Sequence, residues 1–332
     1  MHRRRRLEMR VFVTGGTGFV GKPTVRRLVE GGHRVRCLVR RTSNTKELEE
    51  PGCALAYGDA TDKTSVVEGM RGCDWLVHLA NVYSFWEPDK SVYRRVNVEG
   101  TRNVVEAALD EGVSKVAHVS TFVVWGKPAQ IPFDEETPVG PERFTAYAES
   151  KYEGDLVVWK LYRQRELPVV ALYPGGVMGA GNPKANGRYI RDLAERRMPG
   201  MVFEDSALTW VHVKDVAEAI VRALEKEGNE GEKYLVGKHA LEMGELTRMV
   251  CEISGAPLPK LSIPDPVVMA GATLLTKVAD LTGRPPQLGM STDTMRNLKE
   301  GAVFDGSKAE RELGVTYTPI REVLDEEVAS HR

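Results

Sequence analysis

Apolar and amphipathic segments alternate along the first half of the chain. Amphipathic stretches predict four helices, at Lys22–Glu30, Thr64–Met70, Ser91–Glu111 and Ala146–Arg165. Short, nearly all-apolar runs predict the strands between them, at Arg10–Thr14, Arg34–Val39, Trp75–Leu79, Lys115–Ser120 and Pro168–Leu172. Strands that are apolar on both faces and separated by helices are typical of a parallel sheet covered by helices on each side. The pattern therefore predicts an α/β fold.

The remainder of the chain is less regular. A helix at Asp215–Lys226 and a short strand at Glu232–Val236 continue the earlier pattern, whereas residues 240–300 are richer in Pro, Gly and Met. We therefore predict a sheet domain over residues 9–175 and a mixed region over residues 176–325. In that region a smaller lobe, at about 176–205 and 238–300, alternates with returns to the sheet.

Composition narrows the class of protein only slightly. The 332 residues carry 46 Lys and Arg against 47 Asp and Glu, and 42% of them are hydrophobic, which excludes a disordered or fibrous chain. A net charge of −1 gives no electrostatic attraction to nucleic acid or to an anionic membrane. The longest apolar run, Val267–Leu275, is shorter than the ~20 residues that span a bilayer, so we predict a core or lid helix and no membrane span.

Two further features concern the cell compartment. The four cysteines include no C-x-x-C pair and have no metal-ligand spacing, which predicts free buried thiols, a reducing cytoplasmic location and no metal site. The N-terminus carries four arginines at residues 3–6 without an apolar signal core after them. We interpret this segment as a tail, or as the product of a misread start upstream of Met9, in preference to a nucleic-acid arm.

A glycine-rich turn joins the first predicted strand to the first predicted helix. Gly16, Gly18 and Gly21 satisfy the spacing G-x-G-x-x-G, in which glycines allow a tight turn, close approach of a pyrophosphate and close helix–strand packing. The helix N-terminus adds free N–H donors and partial positive charge. Because both the strand and the helix are present, the motif predicts a dinucleotide site in a Rossmann-type doubly wound sheet.

The end of the second strand indicates which dinucleotide binds. The segment after Cys37 has no carboxylate for a ribose 2′-hydroxyl, whereas Arg40, with Arg41 and Ser43, offers positive charge and donors for a 2′-phosphate. We therefore expect NADP(H) to be preferred, with NAD(H) as the alternative and a merely solvated arginine loop as the simpler explanation. Asp59 follows a third strand and is placed to accept from the adenine amino group, although an Asx turn also explains it.

Tyr147 and Lys151 are four residues apart at the start of a predicted helix, which places both side chains on one face. A neighbouring ammonium stabilises a phenolate and lowers its pKa, which makes a tyrosine usable as a general acid or base. Thr121 follows a strand whose carboxyl end faces the ligand edge of the sheet, so its hydroxyl is expected to bind the substrate oxygen. An exposed Tyr–Lys pair and an ordinary turn threonine are the alternatives.

The ordered set of motifs resembles the extended short-chain dehydrogenase/reductases. It comprises Thr14–Gly21, Gly58–Asp59, Leu76–Asn81, Val96–Asn103, Ser120–Thr121 with Gly126, Tyr147-x-x-x-Lys151, Tyr173–Val177, Val211–Val216 and Phe304–Gly314. The resemblance implies a Rossmann-type sheet with a smaller C-terminal substrate-binding lobe, and the possibility of a homodimer through the Tyr147 helix. It also implies that Asn97 supports the active-site helix.

The resemblance assigns roles to particular residues. It implies that Thr121, Tyr147 and Lys151 are catalytic, with Tyr147 as proton donor or acceptor and Lys151 holding the nicotinamide ribose. The expected cofactor contacts are Gly15, Thr17, Gly18, Phe19, Val20, Gly21, Arg40, Asp59, Ala60, Leu79, Ala80, Tyr147, Lys151, Pro174, Gly175 and Val177.

Two branches of this family fit the chain, namely carbonyl reductases and nucleotide-sugar epimerases or dehydratases. Among the former it looks like the dihydroflavonol-reductase and 3β-hydroxysteroid-dehydrogenase kind, and it also resembles the hopanoid-associated sugar-epimerase-like group. The sugar branch generally carries an arginine for the substrate diphosphate where this chain has Ala207–Trp210. Arg188, Arg191, Arg196 and Arg197 leave a phosphate site open, although a solvated helix face explains them equally well.

Aromatic residues favour the reductase branch. Tyr83, Phe85, Trp86, Phe122 and Trp125 are expected to line a hydrophobic substrate pocket together with the apolar segment 267–275, with ordinary core positions as the alternative for the aromatic residues. We therefore predict hydride transfer between NADPH and a hydrophobic carbonyl or alcohol. A sugar epimerase or dehydratase with tightly bound NAD(P) is the first alternative. A non-catalytic dinucleotide-binding regulator is the second, and it is disfavoured because Tyr147 and Lys151 are both present.

Overall fold

The chain folds around two sheets. The computed structural model describes residues 8–50 and 52–331, and the expectations for the arginines at residues 3–6 lie outside the described residues. Ten strands are described: β1 Arg10–Thr14, β2 Arg34–Val39, β3 Ala54–Tyr57, β4 Trp75–His78, β5 Lys115–Val119, β6 Val169–Pro174, β7 Gly176–Met178, β8 Ala207–His212, β9 Lys233–Val236 and β10 His239–Glu242.

The main sheet has seven parallel strands in the order β3-β2-β1-β4-β5-β6-β9. The direction of strand progression reverses between β1 and β4, which is where doubly wound sheets bind ligands at their carboxyl edge. A smaller three-stranded sheet, β10-β8-β7, carries the chain toward the second lobe. The predicted α/β Rossmann-type class is confirmed, and β9 is the expected return to the main sheet.

Helices cover both faces of the main sheet and build the lobe. They are α1 Gly21–Glu30, α2 Lys46–Glu49, α3 Lys63–Met70, α4 Ser91–Tyr93, α5 Thr101–Asp110, α6 Ala146–Arg165, α7 Ala185–Ala194, α8 Val213–Glu225, α9 Met243–Ser254, α10 Asp265–Thr282, α11 Thr292–Glu300, α12 Ser307–Leu313 and α13 Ile320–Ala329. The long helix predicted from Ser91 is interrupted by a π-helical segment, Arg94–Gly100, between α4 and α5. Single-turn 3₁₀ helices occur at Phe122–Trp125 and Gln287–Gly289.

The segment 240–300 differs most from expectation. The sequence predicts little periodic structure there, whereas the structure contains α9, α10 and α11. Of the 18 residues in α10, three are buried, namely Val268, Ala272 and Ala279. The predicted core or lid helix over Val267–Leu275 is present within α10, which packs Val268 and Ala272 into a buried cluster of the lobe and exposes its other face. No helix among the described residues is long and apolar enough to cross a membrane.

Candidate active site

The glycine turn between β1 and α1 is built by close backbone approach. Gly15 has φ of +76°, and a Cβ there would lie 2.7 Å from the backbone N of Ala80. A Cβ on Gly21 would lie 2.1 Å from the carbonyl O of Gly15, and the N–H of Gly18 donates to that same oxygen at 3.0 Å. These positions therefore admit no side chain, which leaves the backbone of the turn bare for a ligand.

The first turn of α1 is suited to an anion. Its N-cap residue, Val20, makes no side-chain cap, and the first turn contains no acidic residue. The positive end of the helix dipole is therefore not neutralised by the chain itself. This arrangement fits the pyrophosphate of a dinucleotide.

A cavity of about 500 Å³ runs from this turn along the carboxyl edge of the sheet. Fifteen of the sixteen residues predicted to contact the cofactor line it, and the remaining one, Lys151, lies behind the lining. The lining members of that prediction are Gly15, Thr17, Gly18, Phe19, Val20, Gly21, Arg40, Asp59, Ala60, Leu79, Ala80, Tyr147, Pro174, Gly175 and Val177. Residues far apart in sequence therefore meet in one groove.

The far end of the groove carries positive charge. Arg40 is exposed, lines the cavity with Ser43, and forms no ion pair with a described residue. The guanidinium of Arg41 lies 5.2 Å from the ring centroid of Tyr57, outside the cavity. Asp59 lines the cavity while its Oδ1 accepts from the N–H and hydroxyl of Thr61 at 2.9 and 2.8 Å, so the Asx turn is present as well.

Tyr147 lies where the cavity meets the lobe. It lies in the first turn of α6, whose N-cap residue Thr145 accepts from the N–H of Ala148 at 3.1 Å. The phenol is buried, and the hydroxyl of Thr121 is near enough to lower its pKa. Its ring stacks edge-on against Tyr83 and Phe85, with centroids 5.1 and 5.9 Å away.

Burial raises the pKa of Tyr147, and the hydroxyl of Thr121 opposes that rise. Lys151 does not offset the rise in this arrangement, contrary to the sequence expectation, because its Nζ donates to the carbonyl O of Val119 at 3.1 Å. Burial also lowers the pKa of Lys151, and the negative charge of Asp155 opposes that fall. The site therefore holds a neutral phenol beside a partly stabilised ammonium.

Asp155 lies behind the candidate site and is not among the residues predicted from the sequence. Its carboxylate accepts from Ser120 Oγ and from His118 Nε2, each at 2.9 Å, and all three side chains are buried. The sequence spacing could have indicated Asp155, because it follows Lys151 by four residues and therefore shares its helix face. Its pairing with His118 could not be predicted, because His118 lies 37 positions earlier in the chain.

A second series of hydrogen-bonded polar groups runs beneath the cavity. The N–H of Ala80 donates to Thr14 Oγ1 at 3.2 Å, and that hydroxyl lies 2.8 Å from His78 Nδ1. His78 Nε2 lies 3.0 Å from Thr101 Oγ1, which donates to the carbonyl O of Asn97 at 2.8 Å. Burial lowers the pKa of His78, so the imidazole is neutral and links β1, β4 and α5 without adding charge.

Asn97 connects this framework to the catalytic helix, as the family resemblance implies. It lies in the π-helical segment, accepts from the N–H of Val82 at 2.7 Å and donates to Ser150 Oγ at 2.9 Å. Ser150 in turn donates to the carbonyl O of Tyr147 at 2.8 Å. The loop after β4 and the first turn of α6 are therefore held together at the active site.

The predicted aromatic pocket is partly correct. Tyr83, Phe85 and Phe122 line the cavity. Trp125 does not: it is buried in the core against Tyr173, 4.7 Å between ring centroids, and donates to the carbonyl O of Thr137. Trp86 lies outside the lining and donates to Asp280 at 2.9 Å, because the loop after β4 turns it toward α10.

A second cavity of about 270 Å³ adjoins the first inside the lobe. The two share Phe85, Asn186 and Asn297 as lining residues. We name the second cavity the lobe chamber; α7, α9, α10 and α11 enclose it with mostly apolar side chains. The apolar segment 267–275, which the sequence associates with a hydrophobic cavity, contributes Val267, Val268, Gly271 and Leu275 to its lining, and the other walls come from segments far apart in the chain.

No group of three or more His, Cys, Asp or Glu side chains within residues 8–50 and 52–331 is arranged to hold a metal ion. The four cysteines are free and buried, as expected. The chain itself supplies the site with the hydroxyls of Thr121 and Tyr147, the amino group of Lys151, the guanidinium of Arg40 and the backbone of the glycine turn.

Comparison with known proteins agrees with this geometry. The profile of the NAD dependent epimerase/dehydratase family matches residues 11–237. A sterol demethylase protein B of Methylococcus capsulatus is 33% identical, covering 98% of each chain. A protein of Synechocystis sp., provisionally named a dihydroflavonol 4-reductase, is 30% identical and covers 96% of this chain and 93% of its own.

A solved structure shares the whole fold. The dTDP-glucose 4,6-dehydratase of Streptomyces venezuelae, crystallised with NAD, is 26% identical, covers 98% of this chain and 97% of its own, and superposes with a TM-score of 0.77. These matches support binding of an NAD(P) dinucleotide, for which the glycine turn and the groove are the candidate site. The chain belongs to the NAD-dependent epimerase/dehydratase family and is an NAD(P)-dependent oxidoreductase.

Proposed function

We propose that the protein reduces an apolar carbonyl compound with NADPH, or oxidises the corresponding alcohol, with Tyr147 as the general acid or base. The observation that carries this proposal is the continuity of the catalytic cavity with the lobe chamber at Phe85. A carbonyl group beside Tyr147 would leave the rest of the molecule in apolar surroundings, and apolar surface is stabilised there by about 25 cal/mol per Å² removed from water.

The protonation states favour this chemistry. Because burial raises the pKa of Tyr147, its phenol is protonated at neutral pH and is ready to give a proton to a carbonyl oxygen. Thr121 and Tyr147 provide two fixed hydroxyl donors for the charge that develops on that oxygen. Asp155 opposes the fall in pKa that burial causes at Lys151, and we assign the Lys151 amino group to the nicotinamide ribose, since it does not offset the raised pKa of Tyr147. When bound, NADPH supplies the hydride.

NADPH is proposed over NADH because Arg40 lines the groove without an ion-pair partner among the described residues. A 2′-phosphate would give the guanidinium a charge-assisted hydrogen bond, which a 2′-hydroxyl does not. Two of the relatives compared above support the substrate class, since their names refer to a sterol and to a dihydroflavonol. A sterol is largely apolar, and the name of the second relative is that of a reductase.

The nucleotide-sugar alternative has less support from the site. Residues 207–210, where an arginine for a diphosphate is expected, form part of β8 and contribute Leu208 to the cavity. A diphosphate placed there would lose the charge-assisted contacts that make such groups bind tightly. A spectrophotometric screen with ketones, aldehydes and nucleotide sugars separates the two functions. Net oxidation of NADPH supports the reductase, and interconversion of sugars without net oxidation contradicts it.

The role of Tyr147 is tested by Tyr147→Phe. We expect turnover to fall by about 10²–10⁴, since that is the usual contribution of a positioned proton donor, while the Kd for NADPH stays nearly unchanged. Tyr152→Phe is the matched control, because Tyr152 lies on the same helix against Arg143 and outside the cavity. Full turnover in Tyr147→Phe would exclude the proposed role, and no turnover with any substrate in the unmodified protein would favour a regulator.

The lobe chamber is tested with a series of ketones of increasing alkyl length. A Cβ at Gly271 would meet no heavy atom within 4 Å, and Gly271 lines the chamber, so Gly271→Trp fills the space without disturbing the core. We expect kcat/KM to rise with chain length in the unmodified protein and to stop rising in Gly271→Trp. Ala270→Trp, on the neighbouring exposed position, is the control that should retain the rise.

A further inference from the structure

Exposed apolar side chains are concentrated in one segment of the lobe. Eleven large apolar side chains are exposed among residues 8–50 and 52–331, and seven of them lie in residues 258–288. These seven are Leu258, Leu261, Val267, Leu274, Val278, Leu281 and Leu288. Single exposed leucines are ordinary, but a cluster of this size marks a surface that contacts something apolar.

Four of the seven form a stripe on α10. Their spacings of seven, four and three residues place them along one side of the helix. They are Val267, Leu274, Val278 and Leu281. The buried residues of α10, including Val268 and Ala272, occupy a different side. We name this exposed side the α10 stripe; the helix is thus apolar toward both the protein and its surroundings.

The entrance of the lobe chamber lies at the α10 stripe. Val267, Gly271 and Leu288 line the chamber and are also exposed, so the chamber opens to the exterior between α10 and the following 3₁₀ turn. Arg188 is likewise exposed and lines the same opening. An apolar compound at the stripe would therefore reach the chamber along Val267, Gly271 and Leu288, with Arg188 as a charged residue at the same opening.

Charges around the stripe are unbalanced in favour of the basic residues. The two acidic residues of the segment, Asp265 and Asp280, lie 3.7 and 3.6 Å from the ammonium groups of Lys299 and Lys90. Three exposed basic residues of the segment form no ion pair within the described part of the chain: Lys260, Lys277 and Arg284. The chain's net charge of −1 conceals this local positive excess.

We propose that the α10 stripe docks on the surface of an anionic phospholipid bilayer, with α10 lying in the plane of the interface. An apolar face flanked by basic residues is the arrangement that binds such surfaces. The apolar substrate then passes from the bilayer into the lobe chamber; this passage rests on the proposed function, whereas the docking itself does not. A bilayer is favoured over a second copy of the chain, because a protein covering the stripe would also close the chamber opening.

The docking is tested by flotation of the full chain with vesicles. One set contains phosphatidylcholine alone, and the other contains equal parts of phosphatidylcholine and phosphatidylglycerol. We expect flotation with both, stronger with the anionic vesicles and weaker at high salt. Leu274→Glu with Leu281→Glu should lower the partition coefficient about tenfold or more, since each change removes an apolar contact and adds negative charge. Neither residue lines a cavity, so reduction of a water-soluble ketone should not change.

Ile131→Glu is the matched control, because Ile131 is 63% exposed and Leu274 is 64% exposed, yet Ile131 lies outside the segment 258–288. The proposal is wrong if the unmodified protein stays unbound with both vesicle types, or if the double variant floats as well as the control. Analytical ultracentrifugation supplies the remaining outcome. A dimer that the double variant abolishes would assign the stripe to a second copy and overturn the proposal. Lack of enzymatic turnover, in contrast, would leave the flotation result standing and count against the proposed function alone.

Discussion

Asp155 is expected to control both the stability of the sheet edge and the charge on Lys151. The carboxylate is 4% exposed, accepts from His118 Nε2 and Ser120 Oγ at 2.9 Å each, and raises the pKa of Lys151 against the effect of burial. Asp155→Asn keeps the shape of the side chain, so it leaves no cavity and removes only the charge. The consequences can therefore be traced to these three partners.

The loss of stability follows from the two hydrogen bonds. A hydrogen bond to a charged group contributes about 1.5–3 kcal/mol and a neutral one about 0.5–1.5 kcal/mol. The amide of an asparagine can still accept from His118 and donate to Ser120, so each bond is weakened and neither is lost. We therefore expect the free energy of unfolding to fall by about 2–3 kcal/mol, measured by urea denaturation with an unchanged m-value.

The catalytic consequence is separate from the loss of stability. Without the negative charge of Asp155, the pKa of Lys151 falls further, because burial is then less opposed. The ammonium is lost at a lower pH, so the alkaline limb of the pH profile of kcat should move to lower pH. A residue with a purely structural role would lower the amount of folded enzyme without moving that limb.

Ser120→Ala is the control, because it removes one hydrogen bond and leaves the carboxylate charged. It should cost about 1 kcal/mol of unfolding free energy and leave the alkaline limb in place. If Asp155→Asn unfolds within about 0.5 kcal/mol of the unmodified protein, or if its alkaline limb does not move, our account of Asp155 is refuted.

Three other substitutions test the cofactor groove and the lobe. Arg40→Glu should raise the Kd for NADPH at least about tenfold and leave the Kd for NADH nearly unchanged, since only the 2′-phosphate needs the positive charge. Titration with each dinucleotide measures both constants. Arg41→Ala is the control, which should keep the preference for NADPH. Gly21→Ala should weaken binding of both dinucleotides, because the new Cβ would lie 2.1 Å from the carbonyl O of Gly15; equal affinity by calorimetry would contradict the geometry of the turn. Burial raises the pKa of Glu327 from 4.5 to about 7, so the fold disfavours its ionised form and stability falls as pH rises between those values, by up to about 3 kcal/mol. In Glu327→Gln, the free energy of unfolding from urea denaturation should no longer fall between pH 4.5 and 7. An unchanged pH dependence would contradict the raised pKa of Glu327.

Local spacing in the sequence determined the core of the site. The spacing of the turn glycines and of Tyr147 and Lys151 identified these residues, because the members of each motif lie within about one helical turn of one another along the chain. The alternation of strands and helices determined the parallel sheet for the same reason. The positions of these residues along the groove therefore agree with the sequence prediction.

Tertiary structure decided which apolar residues face a ligand. Trp125 and Phe122 lie three residues apart, yet Trp125 is buried in the core and Phe122 lines the cavity. The difference arises because residues distant in the sequence pack over Trp125. Packing also decides the orientation of α10, because two sides of this helix carry apolar residues and the sequence does not show which of them is buried. Only the placement of the other lobe helices beneath one side leaves the other exposed and opens the chamber beside it.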